Sequence, residues 1–261
     1  MGDIPQSHPR RSSLLARQKL VDAAADGLLA DSAMIAHGRG EAFDYLLGER
    51  TSNSAKNAIH EASARLLAAE HPVISVNGNT VVLAGEDLIR VAAVVGCPIE
   101  VNLYYRTDER VAGLLNRLSE QRTSVAAGTA PKGWSGEWDR AVEGVELLGE
   151  GADGRIEGLE GPRALCCADG IGSADVVLVP LEDGDRCEAL IEMGKQVLVV
   201  DLNPLSRTSR MATVTIVDEV ARSAAALLDE VVSGHAQPDN WDNQAILSEA
   251  LDIIADASAG E

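Results

Sequence analysis

The sequence lacks any apolar run approaching the roughly 20 residues that a membrane-spanning helix requires. Its first residues, MGDIPQSHPRRSS, are polar and lack the apolar centre of a signal peptide. We therefore expect a soluble cytoplasmic protein with no membrane partner. Hydrophobic residues still make up 46% of the 261 positions, which is enough for a substantial core.

Lysine is also scarce in this chain. Its 22 basic residues include only the four lysines Lys19, Lys56, Lys132 and Lys195, against 41 acidic residues and a formal net charge of −19. A lysine-poor acidic surface suits a cytoplasm at molar salt, where the Debye length falls to about 3 Å and self-repulsion is screened. We predict a halophilic source, with an acidic mesophilic protein as the alternative. In both cases the acidic surface disfavours a nucleic acid partner, because binding of backbone phosphates needs clustered Lys and Arg side chains.

The cysteines lack the spacings of a metal site. Cys97, Cys166, Cys167 and Cys187 include no CxxC pair, and two of them are adjacent in sequence. Structural disulfides are rare in a cytosol. We expect all four thiols to be reduced.

A glycine-rich phosphate loop is missing from residues 176–210, which otherwise read as a nucleotide-binding unit. The runs VVLV and VLVV predict buried parallel strands, and the residues between them have helical spacing that ends at Gly194. The first run continues into EDGDR, which we expect to be a loop, and the only nearby GxG precedes the strand. Asp201 follows the second run, where open α/β sheets bind ligands and an acid commonly binds a ribose. The pattern indicates a nucleotide site without the usual dinucleotide signature.

The rest of the chain alternates strand and helix patterns. This alternation predicts an α/β fold: a Rossmann-like, mostly parallel sheet flanked by helices, with an N-terminal helical region. We expect an N-terminal region at 1–72 that contributes to the active site, and an α/β core at 73–232. Within the core, residues near 123–170 read as a surface excursion. An amphipathic tail follows at 233–261, whose apolar helix face covers either this core or a neighbouring subunit.

Two short motifs carry candidate ligand-binding groups. HGRGE, at His37–Glu41, precedes a predicted short helix at 42–47, and such a helix start offers N–H groups and a positive dipole to an anion. The alternative is a glycine turn with a surface arginine and a structural histidine. NGN, at Asn77–Asn79, follows the first predicted strand, where it is either a ligand contact or simply a turn.

Several longer segments can be compared together with known proteins. They read IPQSHPRRSSLLARQKLV, MIAHGRGEAFDYLLGERT, PVISVNGN, IEVNLYYRTDERV, SADVVLVPLEDGDRCEALIEMGK and VDLNPLSRTSRMATVTIVDEV. The set closely resembles the archaeal phosphopantothenate synthetases, the 4-phosphopantoate:β-alanine ligases of coenzyme A biosynthesis. The resemblance covers most of residues 4–230 and lapses near 125–160 and after about residue 234.

The resemblance implies a reaction and a set of nucleotide contacts. A homodimeric enzyme would use ATP to condense 4-phosphopantoate with β-alanine, releasing AMP and pyrophosphate through an acyl adenylate. The matching ATP-binding positions are Arg17, Arg39, Asp183, Gly184, Asp185, Arg186, Asp201, Leu202 and Asn203.

The residue types suit that chemistry. Arg17, Arg39 and Arg207 would neutralise phosphates, because a guanidinium binds them bidentately. Asp183 and Asp185 would hold Mg²⁺ or position the ribose, unless they form only a solvated acidic turn.

The remaining groups are assigned by role. Candidates for the catalytic group are Arg39, His37 and Glu41, and no residue is assigned as the base that deprotonates β-alanine. Substrate contacts are expected from Asn77, Asn79, Arg106 and Arg207.

Two other classes of protein share parts of the pattern. A nicotinamide oxidoreductase would have the same alternating strands, but it is disfavoured by the missing glycine fingerprint. A nucleotide-sensing module without catalysis would also fit the acidic surface.

Overall fold

The computed structural model describes residues 4–235 and 237–257. The first three residues of the predicted N-terminal region lie outside this description, as do residues 236 and 258–261 of the predicted tail. The strands are β1 (Pro72–Val76), β2 (Ile99–Val101), β3 (Leu147–Leu148), β4 (Gly154–Arg155), β5 (Leu165–Cys166), β6 (Val176–Pro180), β7 (Gln196–Val200) and β8 (Val214–Ile216). The α-helices are α1 (Arg11–Ala25), α2 (Asp31–Leu46), α3 (Asn53–Ala68), α4 (Gly78–Val95), α5 (Asp108–Ala127), α6 (Trp138–Glu143), α7 (Gly184–Glu192), α8 (Arg207–Met211), α9 (Val220–Ser233) and α10 (Asn243–Ala257).

Six of the strands form one parallel sheet in the order β3-β2-β1-β6-β7-β8. The strand order reverses between β1 and β6, because the chain first builds outwards to β3 and then returns to the other side of β1. Open α/β sheets bind ligands outside the carboxyl ends of the strands at such a reversal. The predicted Rossmann-like fold is confirmed, and its topology places the expected ligand crevice between β1 and β6.

Both faces of the sheet are buried, which explains the nearly continuous apolar strands. Alternate residues of β6 and β7 point to opposite sides: Leu178 and Leu198 pack with α3, α4 and α9, whereas Val177 and Val197 pack with α7 and residues 156–174. The four cysteines are free and buried. Among the described residues, no helix is both long and apolar enough to cross a membrane.

We predicted that the HGRGE motif precedes a helix. This prediction is wrong, because the motif lies within α2. Glycine costs about 1 kcal/mol in a helix interior, so local propensity favoured a break there. Tertiary contacts offset that cost, since Arg10 and Arg17 bind Glu41 while Arg222 binds Asp44 from another helix. The motif therefore offers no helix N-terminus to an anion.

Two segments that we predicted as a turn and a loop are helix starts. The side chain of Asn77 caps α4 by accepting a hydrogen bond from the Thr80 N–H at 3.1 Å. Asp183 caps α7 in the same way, accepting from the Arg186 N–H at 3.0 Å. Both caps follow strands next to the reversal, so two helix N-termini begin at that edge of the sheet.

Residues 123–170, predicted as a surface excursion, contain the end of α5, helix α6, edge strand β3 and the antiparallel pair β4–β5. Trp138 is buried there and packs edge-to-face on Trp134, with ring centroids 5.6 Å apart. The buried Glu100 carboxylate of β2 accepts hydrogen bonds from the backbone N–H groups of Cys167 and Ile171. These contacts fix the segment against the sheet. The division of the chain into three regions stays a prediction.

The tail helix α10 covers this chain's own core. Its buried residues Ile246, Leu247 and Ala250 lie on the predicted apolar face, and two of them pack against Leu47 and Leu202. Of the two alternatives for that face, the structure shows the intramolecular one.

Candidate active site

Two adjoining cavities open at the carboxyl edge of the sheet. The larger, of about 760 Å³, lies beneath α1 and α2, and the smaller, of about 190 Å³, fills the crevice at the β1–β6 reversal. Asn77, Tyr104 and Leu181 line both cavities. Ligands in the two spaces would therefore meet at these three residues, which is the arrangement that a two-substrate reaction requires.

The larger cavity has a wall of carboxylates whose charges are compensated by arginines. Glu41 pairs with Arg17 at 2.8 Å and with Arg10 at 3.2 Å. The buried Asp44 pairs with Arg222 of α9 at 2.5 Å. These pairs attach the N-terminal helices to the α/β core and give the cavity its shape.

His37 faces this cavity from α2. Burial lowers the pKa of its imidazole, although the nearby carboxylates of Glu41 and Glu219 oppose that change. Its Nε2 atom is buried and has no hydrogen-bond partner among the described residues. A neutral imidazole with an open nitrogen is suited to accepting a proton.

The smaller cavity is bounded by β1, β6 and the start of α7. The Asn77 side chain spans the reversal by donating a hydrogen bond to the Leu181 carbonyl at 2.9 Å. Burial raises the pKa of Glu182 to about 7 despite the buried Arg186 guanidinium 3.5 Å away. The Oδ2 atom of Asp183 is buried with no partner in the described part of the chain, so it remains available to a ligand.

A second group of charges lies next to Asp183, outside the lining of this crevice. Asp185 pairs with Arg163 at 3.2 Å and also with Arg207, which in turn pairs with Glu188. The Arg163 guanidinium lies 5.1 Å from the centre of the Tyr104 ring.

The DLN segment forms a tight loop after β7. Asp201 accepts hydrogen bonds from the Asn203 N–H at 2.9 Å and the Ser206 hydroxyl at 2.5 Å. Burial raises the pKa of Asp201, and the charge of Arg39 acts in the opposite direction. Leu202 lines the larger cavity.

The predicted magnesium ligands do not fit a site in which both carboxylates bind one ion. Both oxygens of Asp185 are engaged, Oδ1 by Arg207 and Oδ2 by Arg163. One oxygen of Asp183 caps α7, which leaves only its Oδ2 atom. Within residues 4–235 and 237–257, no group of three or more His, Cys, Asp or Glu side chains is arranged to bind a metal.

Comparison with known proteins decides the family. The family model for phosphopantothenate/pantothenate synthetase matches residues 54–257. The chain is 48% identical to the 4-phosphopantoate--beta-alanine ligase of Methanospirillum hungatei over 85% of this chain and 82% of that protein. The ligase of the same name from Methanosarcina mazei is 45% identical over 97% of this chain and 95% of its own length. A third, from Thermococcus kodakarensis, is 46% identical over 88% and 80%.

This chain belongs to the phosphopantothenate/pantothenate synthetase family. The family assignment agrees with the resemblance carried by the sequence segments, and it disfavours the oxidoreductase and sensing alternatives. The halophilic source stays a prediction.

In this family member the fold brings some of the predicted site residues together around the two cavities. His37, Glu41, Asn77, Asn79 and Leu202 line the larger cavity, while Asp183 and Arg186 line the crevice beside Asn77. Gly184 begins α7, where a Cβ atom would lie 2.9 Å from the Arg207 side chain. These residues come from sequence positions up to about 165 apart, and the parallel sheet brings them together.

Other predicted residues lie outside both cavities. Arg17 is paired with Glu41, and Arg39 is exposed with no hydrogen bond or ion pair to any described residue. Arg106 donates a hydrogen bond to the Gly149 carbonyl and so connects the loops after β2 and β3. Arg207 binds Asp185 and Glu188 on the surface.

The site residues that were not in our predicted set include Tyr104, Glu182, Arg163 and Arg222. Glu182 opens the EDGDR segment after the VVLV strand and Tyr104 lies shortly after β2, so their positions at the ligand-binding edge were detectable. Arg163 lies in the irregular segment and Arg222 lies within a helix. Their importance follows only from long-range contacts that no local pattern reveals.

Proposed function

We propose that this protein is an ATP-dependent ligase that condenses 4-phosphopantoate with β-alanine to give 4'-phosphopantothenate in coenzyme A biosynthesis. The observation that carries the proposal is its similarity, over at least 85% of the chain, to relatives named 4-phosphopantoate--beta-alanine ligase. The two adjoining cavities at the strand reversal support it, because a ligase must bring a nucleotide and an acid together.

The reaction needs an activated acid, because a carboxylate oxygen is a poor leaving group. In the first step, the carboxylate oxygen of 4-phosphopantoate bonds to the α-phosphorus of ATP, and the bond from that phosphorus to the bridging oxygen breaks. Pyrophosphate leaves with the bonding electrons. In the second step, the amine of β-alanine bonds to the acyl carbon and loses a proton, and AMP leaves with the electrons of the acyl C–O bond.

We assign the phosphates of the nucleotide to the small crevice and the acid to the larger cavity. The N-terminus of α7 and the open Oδ2 atom of Asp183 face the crevice, and the N-terminus of α4 lies at the boundary. Helix N-termini stabilise phosphate oxygens. Asp185, Arg186, Asp201 and Asn203 would hold the loops around the nucleotide, with Arg17, Arg39 and Arg207 approaching its phosphates.

We assign β-alanine deprotonation to His37. Its imidazole lines the larger cavity, burial lowers its pKa, and its Nε2 atom has no partner among the described residues, so it can accept a proton once neutral. Glu41 would keep the imidazole oriented from one turn further along α2, and Asn79 would contact the acid.

Mg²⁺ would arrive with the phosphates of ATP and screen their charge. Asp183 is the candidate ligand with a free oxygen. If Asp183→Asn leaves both the Mg²⁺ requirement and the rate unchanged, Asp183 is not a ligand. A homodimer in the cytoplasm also remains our expectation.

The test is a product analysis in molar KCl with purified protein, ATP, 4-phosphopantoate and β-alanine. AMP and the amide product should form in equal amounts, and omission of β-alanine should abolish the amide. Formation of ADP, or no turnover by a folded sample, would refute the proposal.

A further inference from the structure

The turn Pro162–Ala164 places Arg163 against Tyr104, which lines both cavities, although Arg163 itself is not among their lining residues. Three anchors hold it there. The Arg163 carbonyl accepts a hydrogen bond from the buried Arg186 guanidinium at 3.2 Å, and the Arg163 guanidinium lies over the Tyr104 ring. Its Nη2 atom binds Asp185 at 3.2 Å.

The place of Arg163 is defined by its neighbours. Tyr104 lines both cavities and Asp183 lines the crevice, and Arg163 contacts both residues. In the first step the carboxylate oxygen of the acid bonds to the α-phosphorus of ATP. The two substrates therefore meet at the α-phosphate. A cation that contacts both Tyr104 and Asp183 would therefore lie near the reacting phosphorus.

The guanidinium also retains binding capacity. Its contact with Asp185 is the one hydrogen bond that the guanidinium donates to the described residues, and its approach to Asp183 at 3.7 Å is an ion pair beyond hydrogen-bond length. A guanidinium has five N–H donors in a planar fork. Several of these are free to bind phosphate oxygens without breaking the fold.

We propose that Arg163 is a catalytic residue that binds the α-phosphate of ATP during adenylation, exchanging its Asp185 contact for phosphate oxygens. This inference rests on the proposed function, and it assigns a role to the segment between β3 and β6. As the acid oxygen attacks, negative charge grows on the non-bridging oxygens of the α-phosphate, and a fixed cation stabilises that charge more than it stabilises bound ATP.

The competing explanation is that Arg163 only neutralises Asp185 and so positions the start of α7. The two roles respond differently to a second substitution. If neutralisation is its purpose, removing the charge of Asp185 should restore the activity of an Arg163 variant. If Arg163 acts on phosphate, Asp185→Asn should leave the defect in place.

The experiment compares wild type, Arg163→Ala, Arg163→Lys and Arg163→Ala/Asp185→Asn. Arg155→Ala is the matched control, because Arg155 lies in the same segment, is exposed, and its side chain binds only the Leu159 carbonyl among the described residues. We would measure kcat from AMP release. Binding of an ATP analogue with a methylene bridge between the α- and β-phosphates would be measured by calorimetry.

Arg163→Ala should lower kcat on the order of 100-fold while the analogue Kd changes by less than about threefold, as expected for an interaction made mainly in the transition state. The double variant should remain equally slow, and added guanidinium ion should restore part of the rate. Arg163→Lys should fall between wild type and Arg163→Ala, since it retains the charge without the planar fork, and it serves as the readout if the alanine variant does not fold.

Two results would overturn the inference while the proposed function stands. In one, wild type makes AMP and amide but Arg163→Ala turns over like Arg155→Ala. In the other, Asp185→Asn restores the rate, which would make Arg163 a positioning residue. No turnover by wild type would instead refute the proposed function.

Discussion

The buried Glu100 carboxylate provides a sharp test of how the segment between β3 and β6 is held. Its two oxygens accept hydrogen bonds from the Cys167 N–H at 3.1 Å and the Ile171 N–H at 2.8 Å. Glu100→Ala removes both acceptors and leaves two buried donors unpaired. Each such donor costs about 1–3 kcal/mol, so the loss is about 2–6 kcal/mol before any compensation.

One effect offsets part of this loss. Burial raises the pKa of Glu100 in spite of these hydrogen bonds, so keeping its charge in the interior is itself costly. The side-chain amide of Asn102 donates hydrogen bonds to both Glu100 and the Leu165 carbonyl, so in Glu100→Ala it still has the Leu165 carbonyl as an acceptor. We therefore expect the free energy of unfolding to fall by about 2–4 kcal/mol in Glu100→Ala, and by about half as much in Glu100→Gln, which keeps one acceptor.

Urea unfolding and hydrogen exchange of residues 165–172 would measure the effect. Gly170→Ala should loosen the same contact, because a Cβ atom at Gly170 would lie 2.2 Å from Glu100 Oε2. Glu150→Gln, at an exposed position after β3, is the control and should change stability by less than about 0.5 kcal/mol. If Glu100→Ala matches that control in both measurements, the reasoning is wrong.

Three further predictions concern packing beside the larger cavity, the pH dependence of stability and the surface charge. Gly78→Ala should destabilise the protein by about 1–3 kcal/mol in urea unfolding, since the new Cβ atom would lie 2.7 Å from Leu29 Cδ2 and 3.2 Å from the Leu28 carbonyl oxygen; unchanged stability would contradict that packing. Because burial raises the pKa of Glu182 from its ordinary 4.5 to about 7, its stabilising contribution is complete below pH 4.5 and declines by about 3 kcal/mol as the pH rises to 7. Glu182→Gln should abolish that decline, and parallel stability curves for the two proteins would refute it. Finally, a protein of net charge −19 adapted to molar salt should lose its circular dichroism signal on dialysis into dilute buffer, whereas a fully retained signal would argue against halophilic adaptation.

Local sequence patterns predicted most of the regular elements. The apolar runs of β6 and β7 were predicted within one residue at each end. These elements are specified by burial periodicity, which a short window of sequence records. The helix starts at Asn77 and Asp183 were read as a turn and a loop, because a capping residue beside glycine resembles turn chemistry.

The sequence by itself determined the α/β class, the family resemblance and the groups at the ends of the strands. Tertiary structure decided that HGRGE lies within α2, that the strand order reverses between β1 and β6, and that Arg163 reaches Tyr104 across about 60 positions. The physical reason is the range of the interactions. Strand burial and helix spacing act between near neighbours, whereas the ion pairs that stabilise α2 and the contacts that place Arg163 join distant segments and form only when the sheet has assembled.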